Sequence, residues 1–456
     1  ERYLALPAEV LSTVMRAHQR YVPLYAQGGR SDPLALDARG ALMPRFLCIG
    51  NGLPEATATV RRGNERVLKA RLADAEFFVQ ADRSVASIDR RDQLARVTFA
   101  EGLGSVRDRV ERLEWCTDVL LEALNLPDDT ADHARRAAHL CKHDLVSQMV
   151  GEFPELQGVM GGKYLLAEGE PRAVALAVLE HYLPRGAGDD LPQSAAGAVV
   201  ALAERLELLL SIYAKGERPS GSSDPYALRR AGNGILQILW DRGWRLDLRH
   251  WLSRGTGHWA QLLPHCAVDA ESLAAELGDF LRQRVLSLLE DDGFDSDLVQ
   301  AVAGEGVDLD RVIGDPFDAR QRAELLAALR RSNELGAVQA VVTRAARLAE
   351  KGDLDGGCLS AAAVVDATLF ESPSETGMLA VLRQLEPIAM GSGVDRYAAL
   401  ARGLSAGAQA LAAFFDGDQS VMVMADDAAI RRNRLNLLGV LRNQAAVLAD
   451  FSRING

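Results

Sequence analysis

The sequence predicts a mainly α-helical protein that opens with a small α/β unit. Two observations carry that prediction. From about residue 104 onward, Ala, Leu, Arg and Glu dominate, and apolar residues recur at helical spacing between short Gly/Pro breaks. Before that point, two short apolar runs flank a Gly/Asp/Pro-rich stretch, the pattern of a small sheet. The chain has 456 residues, 48% of them hydrophobic and 25% charged. That is an ordinary globular balance, with enough apolar material for a stable core. A typical size of roughly 150 residues per domain gives an expectation of about three domains.

Pro7 precedes a helix whose face carries Val10, Val14, Ala17 and Tyr21. The runs around 21–25 and 46–50 read as strands. In GNERVLKARLADAEFFV, Leu68, Leu72, Ala75 and Val79 share one helical face, with Glu65, Lys69 and Asp74 off it. Residues 131–150 read as one helix bearing His133, His139, His143 and Asp144. Leu273, Leu277, Phe280, Val285 and Leu288 mark a later helix, and Leu438, Leu441, Ala445 and Leu448 a last one. Between the helices, GAGDD (186–190), KGERPSGSSDP (215–225), KGDLDGG (351–357) and ESPSET (371–376) have the composition of loops. No fixed-period repeat is present.

Lys and Arg number 51 against 63 Asp and Glu, a formal net charge of −12. Such a balance argues against broad binding to nucleic acid or anionic membrane, and no DNA or membrane partner is expected. It leaves room for a local basic face. Residues 428–456 supply one, with five arginines against Asp450 alone. No run of about 18 apolar residues is free of charge, and the opening residues lack the pattern of a signal peptide. The chain begins at Glu1 rather than Met, which reads as a piece of a longer protein. Cys48, Cys116, Cys141, Cys266 and Cys358 are odd in number and contain no C-x-x-C pair. The expectation is buried free thiols in a reducing cytoplasm.

Four patterns bear on chemistry. GERPSGSS (216–223) has the glycine spacing of a phosphate loop, but Ser222 stands where a lysine must reach the phosphates. His139 and His143, at i and i+4, together with Asp144, could hold a divalent metal, with Glu204 from a later helix as fourth donor. The His143-Asp144 doublet resembles HD-domain phosphohydrolases, and a metal-dependent phosphohydrolase is the competing reading. The bland alternative is hydrogen-bonded side chains on a helix. His18, His181, His250, His258 and His265 are scattered, there is no G-x-S-x-G elbow, and no ATP-binding synthetase motif is seen. Finally, DDAAIRRNRLNLLGVLRNQAAVLADFSRI reads as a basic helix capped by Asp426 and Asp427, either a solvated face of a bundle or a surface for RNA.

Several segments together resemble the β subunit of bacterial-type glycyl-tRNA synthetase. They include MRAHQRYVPLY (15–25), PRFLCIGNG (44–52), GNERVLKARLADAEFF (63–78), EGLGSVRDRVERL (101–113) and CKHDLVSQMVGEFPELQGVMGGKY (141–164). EHYLPRGAGDDLP (180–192), SSDPYALRRAGNGILQIL (222–239), FFDGDQSVMVMADDAAIRRNRLNLL (414–438) and ADFSRI (449–454) continue the series in the family's order. The family's β subunits extend further at the N-terminus, so the chain resembles their middle and C-terminal parts.

The resemblance implies a B3/B4-like α/β unit over 1–100, an HD-like helical domain over 101–250, a helical connector over 251–340 and a DALR-type anticodon-binding bundle over 341–456. It implies a glycine–tRNA ligase in a cytoplasmic heterotetramer. The α subunit would hold the class II active site with ATP and magnesium, and this chain would hold tRNA(Gly) without catalytic residue, cofactor or metal of its own. Arg431, Arg432, Asn433 and Arg434 are the expected tRNA contacts, combining permanent charge with planar donors. Arg229 and Arg230 of DPYALRR are a second expected contact, although the same segment fits a plain helix start. The family's block near 142 resembles K-x-D-L, which puts His143 at its variable position, and Glu204 stands where the HD pattern has Asp. The HD-like domain then reads as a reused scaffold.

Overall fold

A computed structural model describes residues 1–17, 19–27, 32–393 and 395–455. His18 lies outside the described residues. The protein is mainly helical, with two short two-stranded antiparallel sheets among those residues. It divides into two compact units. One comprises Glu1–Asp241 with Ser253–Leu273, the other Arg242–Leu252 with Ala274–Gly456.

In the first unit, the Ala8–Ala17 helix buries Val10 and Val14 but ends before Tyr21, which is buried beyond it. Val22–Tyr25 pairs with Leu42–Leu47, Val22 opposite Leu47 and Tyr25 opposite Leu42. The second strand thus starts earlier than the 46–50 run and stops before Gly50-Asn51-Gly52. Residues 63–79 lie within one long helix, Thr57–Arg83, which buries the expected stripe Leu68, Leu72, Ala75 and Val79. Such burial contributes about 1.5–3 kcal/mol for each large apolar side chain. That stripe packs in one core with Met149, Phe153, Met160 and Tyr164, so the opening α/β segment shares its core with the helices that follow.

A hairpin of Thr98–Ala100 and Gly104–Ser105, absent from the sequence reading, leads into the Val106–Leu124 helix. Ser105 and Asp108 form a capping box at its start. The Ala195–Ala214 helix is apolar nearly all round and buried along its length, as the central helix of a bundle must be. No helix among the described residues is long and apolar enough to cross a membrane.

The second unit contains the helices Ser296–Ala303, Pro316–Arg331, Leu335–Ala349, Pro373–Met390, Asp395–Ala413 and Ala428–Ala446. Ala428–Ala446 is central here, with every residue from Asn433 to Leu441 buried. An irregular stretch through 351–372 lies against it. The carbonyls of that stretch are satisfied by side chains of the helix. Asn436 donates to Val364 O, Asn443 to Asp355 O and Cys358 O, and Gln444 to Leu359 O. Buried backbone carbonyls require such partners, which explains a row of amides on a core helix.

Candidate nucleic-acid interface

The arginine-rich start of Ala428–Ala446 is held by Asp427, whose carboxylate accepts from the Ala429 and Ile430 backbone N–H groups. The four residues that follow take different directions. Arg432 is exposed, with 70% of its side chain accessible, and pairs with the equally exposed Asp353 at 3.1 Å. Arg431 is half-buried and donates to the carbonyl of Ala425 at 2.8 Å.

Asn433 and Arg434 correct the expectation of a continuous basic face. Asn433 is buried, and its amide makes a two-way bond with the backbone of Asp366, at 2.9 and 2.8 Å. Arg434 keeps 4% of its side chain exposed and forms an ion pair with the fully buried Glu375, Nε to Oε1 at 2.9 Å. Its Nη2 reaches Glu371 at 2.9 Å and its Nη1 the carbonyl of Met422 at 3.0 Å. The reason is helical geometry: residues 434, 438 and 441 fall on the side that packs inward, so a charge there must bring its partner with it. Burial would raise the Glu375 carboxyl, but the Arg434 bond and two backbone N–H donors hold it below the usual carboxylate value. Of the four residues, Arg431 and Arg432 are the ones left at the surface.

Arg229 and Arg230 stand at the start of the Leu228–Arg242 helix in the first unit. Asp224 caps it, accepting from the Leu228 and Arg229 backbone N–H groups, as the plain helix-start reading expected. Arg229 is half-buried. Arg230 is exposed and donates to the carbonyl of Arg185 at 3.2 Å.

The residues read as metal donors are not arranged as a helix face. The helix expected over 131–150 is Asp128–Leu140, and it stops at Cys141, which is extended, and Lys142, which is left-handed with φ 63°. His139 and His143 are therefore not one turn apart on a shared helix. His139 pairs with Glu114 through Nδ1 at 3.0 Å, while His133 is half-buried six positions earlier on the same helix. His143 is fully buried beside the Gly161 carbonyl, and burial with the nearby Arg90 charge lowers it to about 4. Asp144 accepts from the backbone N–H groups of Gly158 and Gly161, an anchor for the following helix. Among the described residues, His143 Nδ1 and Asp144 Oδ1 have no hydrogen-bond partner.

Glu204 meets cations rather than imidazoles. Lys142, almost fully buried, lies 2.8 Å from its Oε2, and Arg109 lies 2.9 Å from its Oε1. Glu207 is paired likewise with Arg109 at 2.7 Å and Arg112 at 2.8 Å. Burial alone would raise the Glu204 carboxyl, but Arg109 and Lys142 bring it down to about 2. Two buried carboxylates are thus neutralised by three protein cations. No group of three His, Cys, Asp or Glu residues suited to a metal occurs among the described residues, so this donor set does not fit a divalent ion. Cys116 and Cys141 are buried thiols as expected, whereas Cys48 is exposed.

Asp82, which no sequence pattern singled out, organises the same interior. It accepts from the backbone N–H groups of Gln148 and Met149 and from the Tyr164 hydroxyl. Its donors lie more than 60 positions away, so local spacing carries no sign of the role.

Comparison with known proteins gives a consistent result. A family model described as glycyl-tRNA synthetase beta subunit matches residues 1–304. A glycine–tRNA ligase beta subunit of Acaryochloris marina is 46% identical over 99% of the chain, and one from Picosynechococcus sp. is 44% identical over 99%. A more divergent relative with the same description, from Desulforudis audaxviator, is 39% identical over 99% of the chain. The chain spans 62% of the length of each of these relatives.

Proposed function

The chain belongs to the glycyl-tRNA synthetase beta subunit family, and from that premise we propose that it forms part of the tRNA-holding subunit of a glycine–tRNA ligase. In this reading the partners are tRNA(Gly) and an α subunit. ATP and magnesium act at that α subunit, and this chain takes no part in bond making. The opening segment is the B3/B4-like unit, the following helices an HD-like scaffold and a connector, and the last helices a DALR-type anticodon-binding domain. The assembly works in the cytoplasm as a heterotetramer.

The observation that carries the reading is the family match, which runs through the opening segment and the helical body to residue 304, with relatives aligned over 99% of the chain. The exposed Arg432 and the half-exposed Arg431 support it, because guanidinium groups at a helix start can pair with phosphate. They are the proposed contacts in the second unit, and Arg230 the proposed contact in the first. Arg229, Asn433 and Arg434 position these surfaces from within. The role matters for rate, since misplacing a reacting end by about 1 Å can cost on the order of 100-fold.

The experiment is co-purification with the α subunit of a family member, followed by a glycylation assay. The reading predicts a stable complex that glycylates tRNA(Gly) faster than the α subunit alone. Separate elution with no gain in glycylation would overturn it.

A further inference from the structure

Three guanidinium groups converge on one cavity in the first unit, and none forms an ion pair with a carboxylate among the described residues. The cavity has a volume of about 320 Å³ and is lined by Arg185, Arg205 and Arg230, with Tyr182 and Tyr226 as aromatic walls. That volume is at the small end of the range for ligand sites, about 300–1,000 Å³. Each arginine is oriented by backbone carbonyls. Arg185 donates to Glu155 O and Gln157 O, Arg205 to Tyr182 O and Pro184 O, and Arg230 to Arg185 O. Carbonyls fix the position of a guanidinium without cancelling its charge. Glu204 also reaches the wall, but Arg109 and Lys142 already match its charge. The nearby Asp189 accepts from the Arg185 backbone N–H.

The rim is built for a fixed shape. Ala227 holds a left-handed φ of 56°, a conformation costly for a residue with a Cβ. Gly234 lies against the Arg205 guanidinium, and a Cβ there would collide with Nε. Arg205 is buried, and desolvation brings it down to about 10 despite the nearby Glu204 and Asp189 charges.

We propose that this cavity receives one nucleotide, its phosphate between Arg185 and Arg230 over the buried charge of Arg205 and its base against Tyr226. The inference rests on the tRNA-holding reading above, which makes an RNA strand the source of that nucleotide; a free mononucleotide is the other source of the same chemistry. Tyrosine faces accept any base by stacking, and arginine forks suit phosphate.

The test measures binding of a tRNA(Gly) transcript across a salt titration for the unaltered chain, Arg230→Gln and Tyr226→Ala, with adenosine 5′-monophosphate as a second probe. Arg230 is exposed and Tyr226 is half-buried, so both variants are expected to fold, and circular dichroism checks this. The expected result is roughly tenfold weaker tRNA binding in each variant. For Arg230→Gln the salt slope also falls by about one. Adenosine monophosphate should compete weakly for the unaltered chain. If the unaltered chain binds tRNA and both variants bind it equally with the same slope, the cavity assignment fails while the tRNA reading stands. If the chain binds the mononucleotide saturably but no tRNA, the RNA source is overturned and the tRNA-holding reading fails with it. Binding of neither probe overturns the proposal.

Discussion

Arg434 and Glu375 are joined inside the second unit at 2.9 Å, one 4% and the other 0% exposed at its side chain. Fifty-nine positions separate them in the sequence. Glu375 also closes the capping box of the Pro373–Met390 helix, so the pair ties the start of that helix to Ala428–Ala446. Removing one partner leaves a buried charge without compensation. Arg434→Ala is expected to destabilise the protein by about 3–5 kcal/mol. The double change Arg434→Met with Glu375→Leu should recover much of that loss. Urea midpoints measure both, and an Arg434→Ala midpoint within about 0.5 kcal/mol of the unaltered protein would contradict the assignment.

The interior around Lys142, Glu204 and Glu207 makes a similar prediction about metal. Its carboxylates are paired with Lys142, Arg109 and Arg112. Dialysis against EDTA should therefore leave the melting temperature unchanged. A fall of several degrees that manganese or zinc reverses would show that His143 and Asp144 hold a metal after all. Lys142→Met should destabilise by about 3–5 kcal/mol, because Glu204 then keeps its burial and loses a counterion.

Acid should weaken this same interior in a defined order. His143 is lowered to about 4 and His181 to about 3, each chiefly by burial. Their folded values lie below the ordinary 6.5, so the unfolded chain takes up protons first. Their stabilisation is complete above about pH 6.5 and is lost as pH falls toward 4, at about 1.4 kcal/mol per pH unit for each histidine. Glu204, at about 2, adds a further loss only below pH 4.5. Urea midpoints between pH 8 and pH 4 test this, and His143→Gln should flatten the upper part of the curve. Constant stability down to pH 5 would rule it out.

Some of this was legible in the sequence and some was not, for physical reasons. The stripe Leu68, Leu72, Ala75 and Val79 was readable because one face of a helix repeats at fixed spacing, and the core confirms it. The break at Lys142 was not, since a lysine in a left-handed conformation carries no mark in its neighbours. Arg434 and Arg432 look alike two positions apart, yet one faces Glu375 and the other solvent. The side of the helix that meets Pro373–Met390 distinguishes them. Asn443 and Gln444 carry no local sign of their role, because the carbonyls they serve lie about 85 positions upstream.

The surface arginines bear the main claim. Arg432 contributes little to stability, as its exposed pair with Asp353 is worth at most about 1 kcal/mol. A salt titration of tRNA(Gly) binding, comparing the unaltered chain with Arg431→Ala plus Arg432→Ala, tests the claim most directly. The account predicts weaker binding with a salt slope reduced by about two and an unaltered melting temperature. The same affinity and slope in the double variant would contradict it.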